Sequence, residues 1–80
     1  MKFEIWDEIH MDQEDREKMY NSIIENGFDL ETEKDFDTNG DEFKIRFITI
    51  NSLEDLIKLK DIVDYYSILV HKDGLAIVNK

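Results

Sequence analysis

The sequence predicts an α+β fold in which helices cover one face of a sheet built mainly from antiparallel strands. Three observations support this prediction: an alternating apolar segment near the start, two segments with helical apolar spacing, and two turn dipeptides, Asn39-Gly40 and Asp73-Gly74. Alternation with period two is typical of strands, a period near 3.6 is typical of helices, and such dipeptides favour tight hairpins. We therefore expect the element order β-α-β-β-α-β-β in a single domain, residues 1–80.

The first strand and the first helix follow from local patterns. Residues 2–6 alternate, with Phe3 and Ile5 on one face and Trp6 on the other. Asp12 is a favourable N-cap and Gly27 can supply the left-handed residue that ends a helix, so a helix is predicted over 13–26. Its buried stripe should hold Met19, Tyr20, Ile23 and Ile24, and its outer face Glu14, Glu17 and Glu25.

A hairpin should follow, with Asn39-Gly40 as its two-residue loop. This loop fixes a register in which apolar residues meet on one face, pairing Phe36 with Phe43, Thr32 with Phe47 and Leu30 with Thr49. On the other face, acids then meet bases, as Asp35 lies opposite Lys44 and Glu33 opposite Arg46.

The second half repeats the scheme. Ser52 and Asp55 form a capping-box pattern that starts a second helix. Its apolar face is expected to consist of Leu53, Leu56, Ile57, Val63 and Tyr66, widened by Leu59 and Ile62. A second hairpin around Asp73-Gly74 pairs Val70 with Ile77 and Leu69 with Val78.

The simplest assembly of these elements is a ferredoxin-like sandwich with one extra edge strand. Right-handed β-α-β crossings place both helices on the same side of the sheet. The uncovered sheet face would then show Trp6, Ile48, Leu69 and Val78. A partly apolar face of this kind is often an interface, so one hypothesis is a structural or regulatory module that forms a homodimer through it.

Charge is distributed very unevenly. Residues 1–42 hold 15 Asp+Glu against 4 Lys+Arg, whereas residues 43–80 hold 5 against 6. A field of this sign attracts basic partners and repels nucleic acid and anionic lipid. The chain has no Cys, no secretory start and no apolar run of the ~18 residues that a membrane span needs, which together predict a cytoplasmic protein.

No motif indicates catalysis or a cofactor, so we expect a protein that is not an enzyme. Two histidines, His10 and His71, lie far apart in sequence and do not define a zinc site, although His10 has acidic neighbours. Residues 35–41 match the first seven positions of a calcium loop, but Arg46 replaces the bidentate Glu at its end. A weak calcium-binding hairpin is therefore kept as an alternative function.

The acidic residues themselves form the candidate site. Alternate residues of the third predicted element would place carboxylates about 6.6 Å apart on one face of a strand. Such a row could occupy a groove that holds nucleic-acid phosphates, releasing the groove's bound anions. The candidate partner-binding residues are Glu14, Glu17, Glu25, Glu31, Glu33, Asp35, Asp37, Asp41 and Glu42.

Two segments resemble a strand–helix–hairpin unit found in small acidic proteins of phages and mobile elements. They are residues 48–59, which contain the sequence Ser52-Leu53-Glu54-Asp55-Leu56, and residues 67–78. Proteins of this kind include anti-CRISPR proteins, several of which mimic DNA to block Cas nucleases. The resemblance implies a phage-type inhibitor of a basic nucleic-acid-binding protein, such as a CRISPR effector, acting in the host cytoplasm. It implies no particular binding residues.

Overall fold

A computed structural model describes residues 1–7 and 12–79 and confirms the α+β fold. The elements follow the predicted order. They are β1 (Lys2–Asp7), α1 (Gln13–Glu25), β2 (Leu30–Phe36), β3 (Glu42–Thr49), α2 (Leu53–Ile62), β4 (Tyr66–Val70) and β5 (Gly74–Asn79). Neither helix in this part of the chain is long and apolar enough to cross a membrane.

The strand order differs from that of the predicted ferredoxin-like sandwich. The five strands are ordered β2-β3-β1-β5-β4, and β5 runs parallel to β1 while the other neighbours are antiparallel. An extra edge strand would have left β4 beside β1, but β5 lies between them. The physical reason is burial: Gly74–Ile77 of β5 are all buried, as suits a central strand, whereas β4 exposes Leu69 and Val70.

Both helices pack on one face of the sheet, as predicted. Tyr20 and Ile23 of α1 and Leu59 of α2, with Val63 just after it, join side chains from the central strands in one core. The residues of this core at 1 % exposure or less are Ile23, Ile48, Leu59, Leu75 and Ile77. The predicted stripes were too wide, because Ile24, Leu53 and Ile57 are exposed.

The helix starts follow the sequence signals closely. The Asp12 carboxylate accepts a hydrogen bond from the Asp15 N–H at 2.9 Å, as an N-cap does. Ser52 accepts from the Asp55 N–H at 3.2 Å, and the Asp55 carboxylate in turn accepts from the Asn51 N–H at 2.9 Å. Gly27 has φ +92°, the left-handed conformation expected after α1.

The predicted register of the first hairpin is wrong by one residue. Asp37 and Asp41 are joined by a backbone hydrogen bond of 3.0 Å, and Gly40 N–H donates to the Asp37 carbonyl at 3.0 Å, so the loop has three residues. Gly40 has φ +82°, which is typical of a three-residue hairpin loop with a glycine bulge. A shift of one residue exchanges the faces of one strand relative to the other.

This shift moves several side chains from their predicted positions. Ile48 lies opposite Leu30 and belongs to the core, so it was wrongly assigned to the open face. Asp35 lies opposite Phe43 and Glu33 opposite Ile45, instead of Lys44 and Arg46.

The second hairpin is displaced by two residues, which preserves the faces. Ile68 lies opposite Ile77 and Leu69 opposite Ala76, and the His71 N–H donates to the Gly74 carbonyl at 2.9 Å. The loop is therefore Lys72-Asp73 and not Asp73-Gly74. Leu69 and Val78 still share the uncovered face, as predicted.

Candidate partner-binding surface

An acidic row runs along the uncovered face of the sheet at its β2 edge. Glu31, Glu33 and Asp35 alternate along this strand, and every residue of β2 after Leu30 is exposed. Side chains two residues apart on one face of a strand are about 6.6 Å apart. The acids Asp37 and Asp41 continue the row at the hairpin tip. We call this set of five residues (Glu31, Glu33, Asp35, Asp37 and Asp41) the acidic edge.

An apolar row lies directly beside the acidic edge. The cross-strand partners of Glu31, Glu33 and Asp35 are Phe47, Ile45 and Phe43 of β3. Acids that were expected to face bases therefore face apolar side chains. The correct register leaves more of the negative charge without a neutralising neighbour than the predicted register did.

Ion pairs neutralise only part of the candidate set. Lys2 pairs with Glu31 at one end of the acidic edge, and this hydrogen bond, with smaller contributions from Glu33 and Asp29, raises the pKa of Lys2. Elsewhere in the part of the chain that the structure describes, no ion pair reaches Glu33, Asp35, Asp37 or Asp41. These four carboxylates are thus not neutralised by an ion pair, although Asp35 and Asp37 accept backbone hydrogen bonds through Oδ1.

The remaining candidates lie on the helix side of the sheet. Glu14 pairs with Lys18 at 3.5 Å and Glu17 with Lys44 at 3.9 Å, while Glu25 stands exposed at the end of α1. Glu42, on the helix face of β3, pairs with Lys34 at 3.5 Å. All these pairs are at the surface, where an ion pair contributes about 0–1 kcal/mol. The structure therefore divides the nine predicted residues between two sides of the sheet.

The tip of the hairpin is shaped by one carboxylate. The Asp37 Oδ1 atom accepts hydrogen bonds from the N–H groups of Asn39 and Asp41, both at 2.9 Å. This is the side-chain-to-backbone pattern by which Asp stabilises turns. Among the described residues, no group of three or more potential metal-ligating side chains is found. The geometry of residues 35–41 therefore favours a turn and gives no support to the calcium-loop hypothesis.

A partly buried polar cluster that was not predicted from the sequence lies on the helix side. The Tyr20 hydroxyl donates to Asp7 Oδ2 at 2.5 Å, and Arg16 Nε and Arg46 Nη1 lie 3.7 and 4.0 Å from the same oxygen. The Arg46 guanidinium also stacks 4.0 Å from the Tyr20 ring. Burial, and then the hydrogen bond to Asp7, raise the pKa of Tyr20, so its hydroxyl stays protonated.

This cluster connects β1, α1 and β3, and its charged groups are engaged with each other. It borders a groove of ≈ 490 Å³ that Lys44 and Glu42 also line, so the groove carries both signs of charge. The cluster was not predicted because the predicted hairpin register placed Arg46 opposite Glu33, whereas Arg46 lies opposite Thr32 and reaches Asp7.

The apolar part of the open face is larger than predicted. Trp6, Leu69 and Val78 lie on it as expected, and Phe43, Ile45 and Phe47 join them in place of Ile48. The His71 ring lies 5.3 Å from the Trp6 ring, so His71 is engaged in packing. His10, the other histidine, lies outside the described residues.

Together, the fold and this surface define a small α+β protein with an acidic edge strand beside an apolar sheet face. Comparison with protein-family models, with curated proteins and with solved structures finds no match to this chain.

Proposed function

We propose that this protein is a non-enzymatic inhibitor, of the phage type, that blocks the nucleic-acid-binding site of a host defence protein such as a Cas nuclease. The observation that carries the proposal is the acidic edge. Four of its carboxylates, those of Glu33, Asp35, Asp37 and Asp41, are exposed and have no ion pair within the described residues. The net charge of −10 gives the whole molecule the sign that a basic groove attracts.

The physical basis is competition for a phosphate-binding groove. Carboxylates repeating at about 6.6 Å along a strand have a spacing comparable to that of successive phosphates on one nucleic-acid strand. A protein that places them in a basic groove displaces bound anions, so its affinity should fall steeply as salt is added. The apolar row beside the acids adds contacts that do not depend on salt.

The experiment is capture of the partner from a bacterial lysate at low salt, with elution by NaCl and identification by mass spectrometry. The proposal predicts a nucleic-acid-binding protein that DNA or RNA displaces from the immobilised chain. The test variant is Glu33→Lys/Asp35→Lys/Asp41→Lys, which spares the turn-forming Asp37.

The matched control is Glu14→Lys/Glu17→Lys/Glu25→Lys, which changes the charge equally on the helix side. Loss of capture by the first variant and its retention by the second would support the acidic edge. The reverse pattern would move the binding surface to α1, and capture unaffected by either variant would refute the electrostatic mechanism.

A second candidate function is self-association through the open sheet face. The observation that favours it is the exposure of Phe43, at 43 %, beside Ile45 and Phe47 on the same face. Light scattering in moderate salt tests this, because burial of an apolar face should give a dimer that Phe43→Lys dissociates. A dimer that Phe43→Lys leaves intact would exclude this face.

A further inference from the structure

The two edges of the sheet differ sharply in their protection against pairing with another strand. The β2 edge has the sequence LETEKDF, with four charged residues in seven. The β4 edge has the sequence YSILV, with no charge and no Pro. Charged residues on edge strands are a common device against edge-to-edge association, and β4 lacks it.

The backbone of β4 is available for such pairing at its centre. Because the His71 N–H donates to Gly74 and antiparallel pairs alternate, Ile68 and Val70 direct their N–H and C=O groups to the outer edge. At the start of the strand, the outward groups of Tyr66 are already used: its N–H donates to Val63 O, and its carbonyl accepts from Lys60 Nζ at 2.6 Å. The available stretch is therefore Ile68–Val70.

An apolar groove flanks this stretch on the helix side. It has a volume of ≈ 250 Å³ and lies between α2 and β4, lined by Leu56, Ile57, Ile68 and Val70 with Lys60 and Asp61. Ile57 and Val70 are 56 % and 57 % exposed, and Leu53 on α2 is 72 % exposed. The apolar face of α2 thus extends beyond what the core of one chain covers.

We propose that the occupant of this edge is a second copy of the chain, paired antiparallel through β4. A two-fold axis at Leu69 places Ile68 of one copy opposite Val70 of the other, and the outward backbone groups of both then form hydrogen bonds. Leu69 meets its own copy on the open face, while Ile68, Val70 and the α2 side chains meet on the helix face. Within Ile68–Val70, every cross-strand contact in this register is apolar.

Charge selects this edge for self-association. Two chains of net charge −10 repel each other, and the acids are concentrated in residues 1–42, where the balance is −11. Around β4 the charges nearly balance, with Lys60 and Lys72 against Asp61, Asp64 and Asp73. Pairing through β4 also places the two acidic edges at opposite ends of a ten-stranded sheet, because β2 and β4 are the two outer strands. Because this edge carries little net charge, it would not attract a basic peptide electrostatically.

Site-directed crosslinking tests the register. The chain has no Cys, so Leu69→Cys introduces a single thiol at the proposed axis. Residues facing each other in a non-hydrogen-bonded antiparallel pair have Cα atoms about 4.5 Å apart, within the range of a disulfide. Mild oxidation should give a covalent dimer. The control is Phe43→Cys, at a similarly exposed position on the same face but near the opposite, β2 edge of the sheet, which should stay monomeric. Failure of Leu69→Cys to crosslink, or equal crosslinking by both variants, would overturn the proposal.

Light scattering tests the association itself. The unmodified chain should have about twice the mass of the 9.6 kDa monomer, and the dimer should strengthen with NaCl as repulsion is screened. Val70→Lys should give a folded monomer by circular dichroism, and Phe43→Lys should remain a dimer. A mass of 9.6 kDa at every salt concentration, or dissociation by Phe43→Lys alone, contradicts the proposal. If the chain does not dimerise, the proposal that the acidic edge captures a partner still stands, because that binding does not require β4. The two proposals also differ in salt dependence, since partner binding should weaken with NaCl and the dimer should strengthen.

Discussion

At the scale of single residues, Gly74 shows a glycine required by packing. It is the first residue of β5, and a Cβ atom there would lie 2.6 Å from Cζ2 of the Trp6 indole. Gly27 and Gly40, in contrast, have open space around them and are favoured by positive φ. The sequence predicted a turn residue at Gly74. In the structure Gly74 instead begins β5, where it packs against Trp6.

We expect Gly74→Ala to destabilise the protein by about 1–3 kcal/mol through overpacking against Trp6. Urea unfolding measures this loss. The control is the same substitution in a Trp6→Leu background, where the ring carbons are absent and the additional loss should be much smaller. Equal losses in both backgrounds would contradict the packing explanation.

Tyr20 should make stability depend on alkaline pH. Its pKa is raised in the folded state by burial and by the hydrogen bond to Asp7, whereas the unfolded tyrosine ionises near its ordinary pKa of about 10. The folded state then binds more protons than the unfolded state above that pH. The contribution of Tyr20 to the free energy of unfolding is therefore fully present below pH ~10. Above that pH it falls by about 1.4 kcal/mol per pH unit.

Tyr20→Phe isolates this effect, because the other titrating groups are common to both proteins. The stability difference between the original chain and this variant, measured by urea unfolding, should shrink as pH rises above ~10. A difference that stays constant to higher pH would show that Tyr20 ionises with equal ease in both states.

At the scale of elements, local signals were sufficient for helix starts and insufficient for strand register. Asp12 and Ser52 act within a single turn of helix, so their neighbours in sequence determine the outcome. The loop around Asn39-Gly40 admits two lengths, and the side chain of Asp37 stabilises the longer one. The additional residue in the loop changes the face on which Phe43, Ile45 and Phe47 lie.

Asp37→Ala should therefore loosen the hairpin tip without unfolding the domain. Loss of the two hydrogen bonds to its carboxylate should cost about 1 kcal/mol locally, which lowers amide-exchange protection about fivefold in the tip. Asp41→Ala is the matched control, since it removes the same charge while the backbone bonds of residue 41 remain. Equal loss of protection in both variants would assign the effect to charge.

The order of strands could not be read from these elements. The two strands of the second hairpin carry the similar apolar runs SILV and LAIV, so composition does not indicate which one is central. The choice depends on long-range packing of Leu75 and Ala76 beside Ile5 and Trp6. The candidate acids of β2 were predicted correctly as a row, because alternation along one strand needs no partner.

At the scale of the whole molecule, unbalanced charge opposes compaction. A net charge of −10 on 80 residues, held mostly on the surface, produces repulsion that added salt screens. We expect the melting temperature to rise with moderate NaCl, as measured by circular dichroism at a fixed protein concentration. A melting temperature that stays constant or falls would show that surface ion pairs outweigh the repulsion.

The proposed function depends on the attraction of the acidic edge to a basic groove. Its most direct test is the affinity for the captured partner, measured across a series of NaCl concentrations for the original chain and for Glu33→Lys/Asp35→Lys/Asp41→Lys. We expect a steep fall in affinity with salt for the original chain and no measurable binding for the variant. Binding of the variant with the same affinity and the same salt dependence would contradict it.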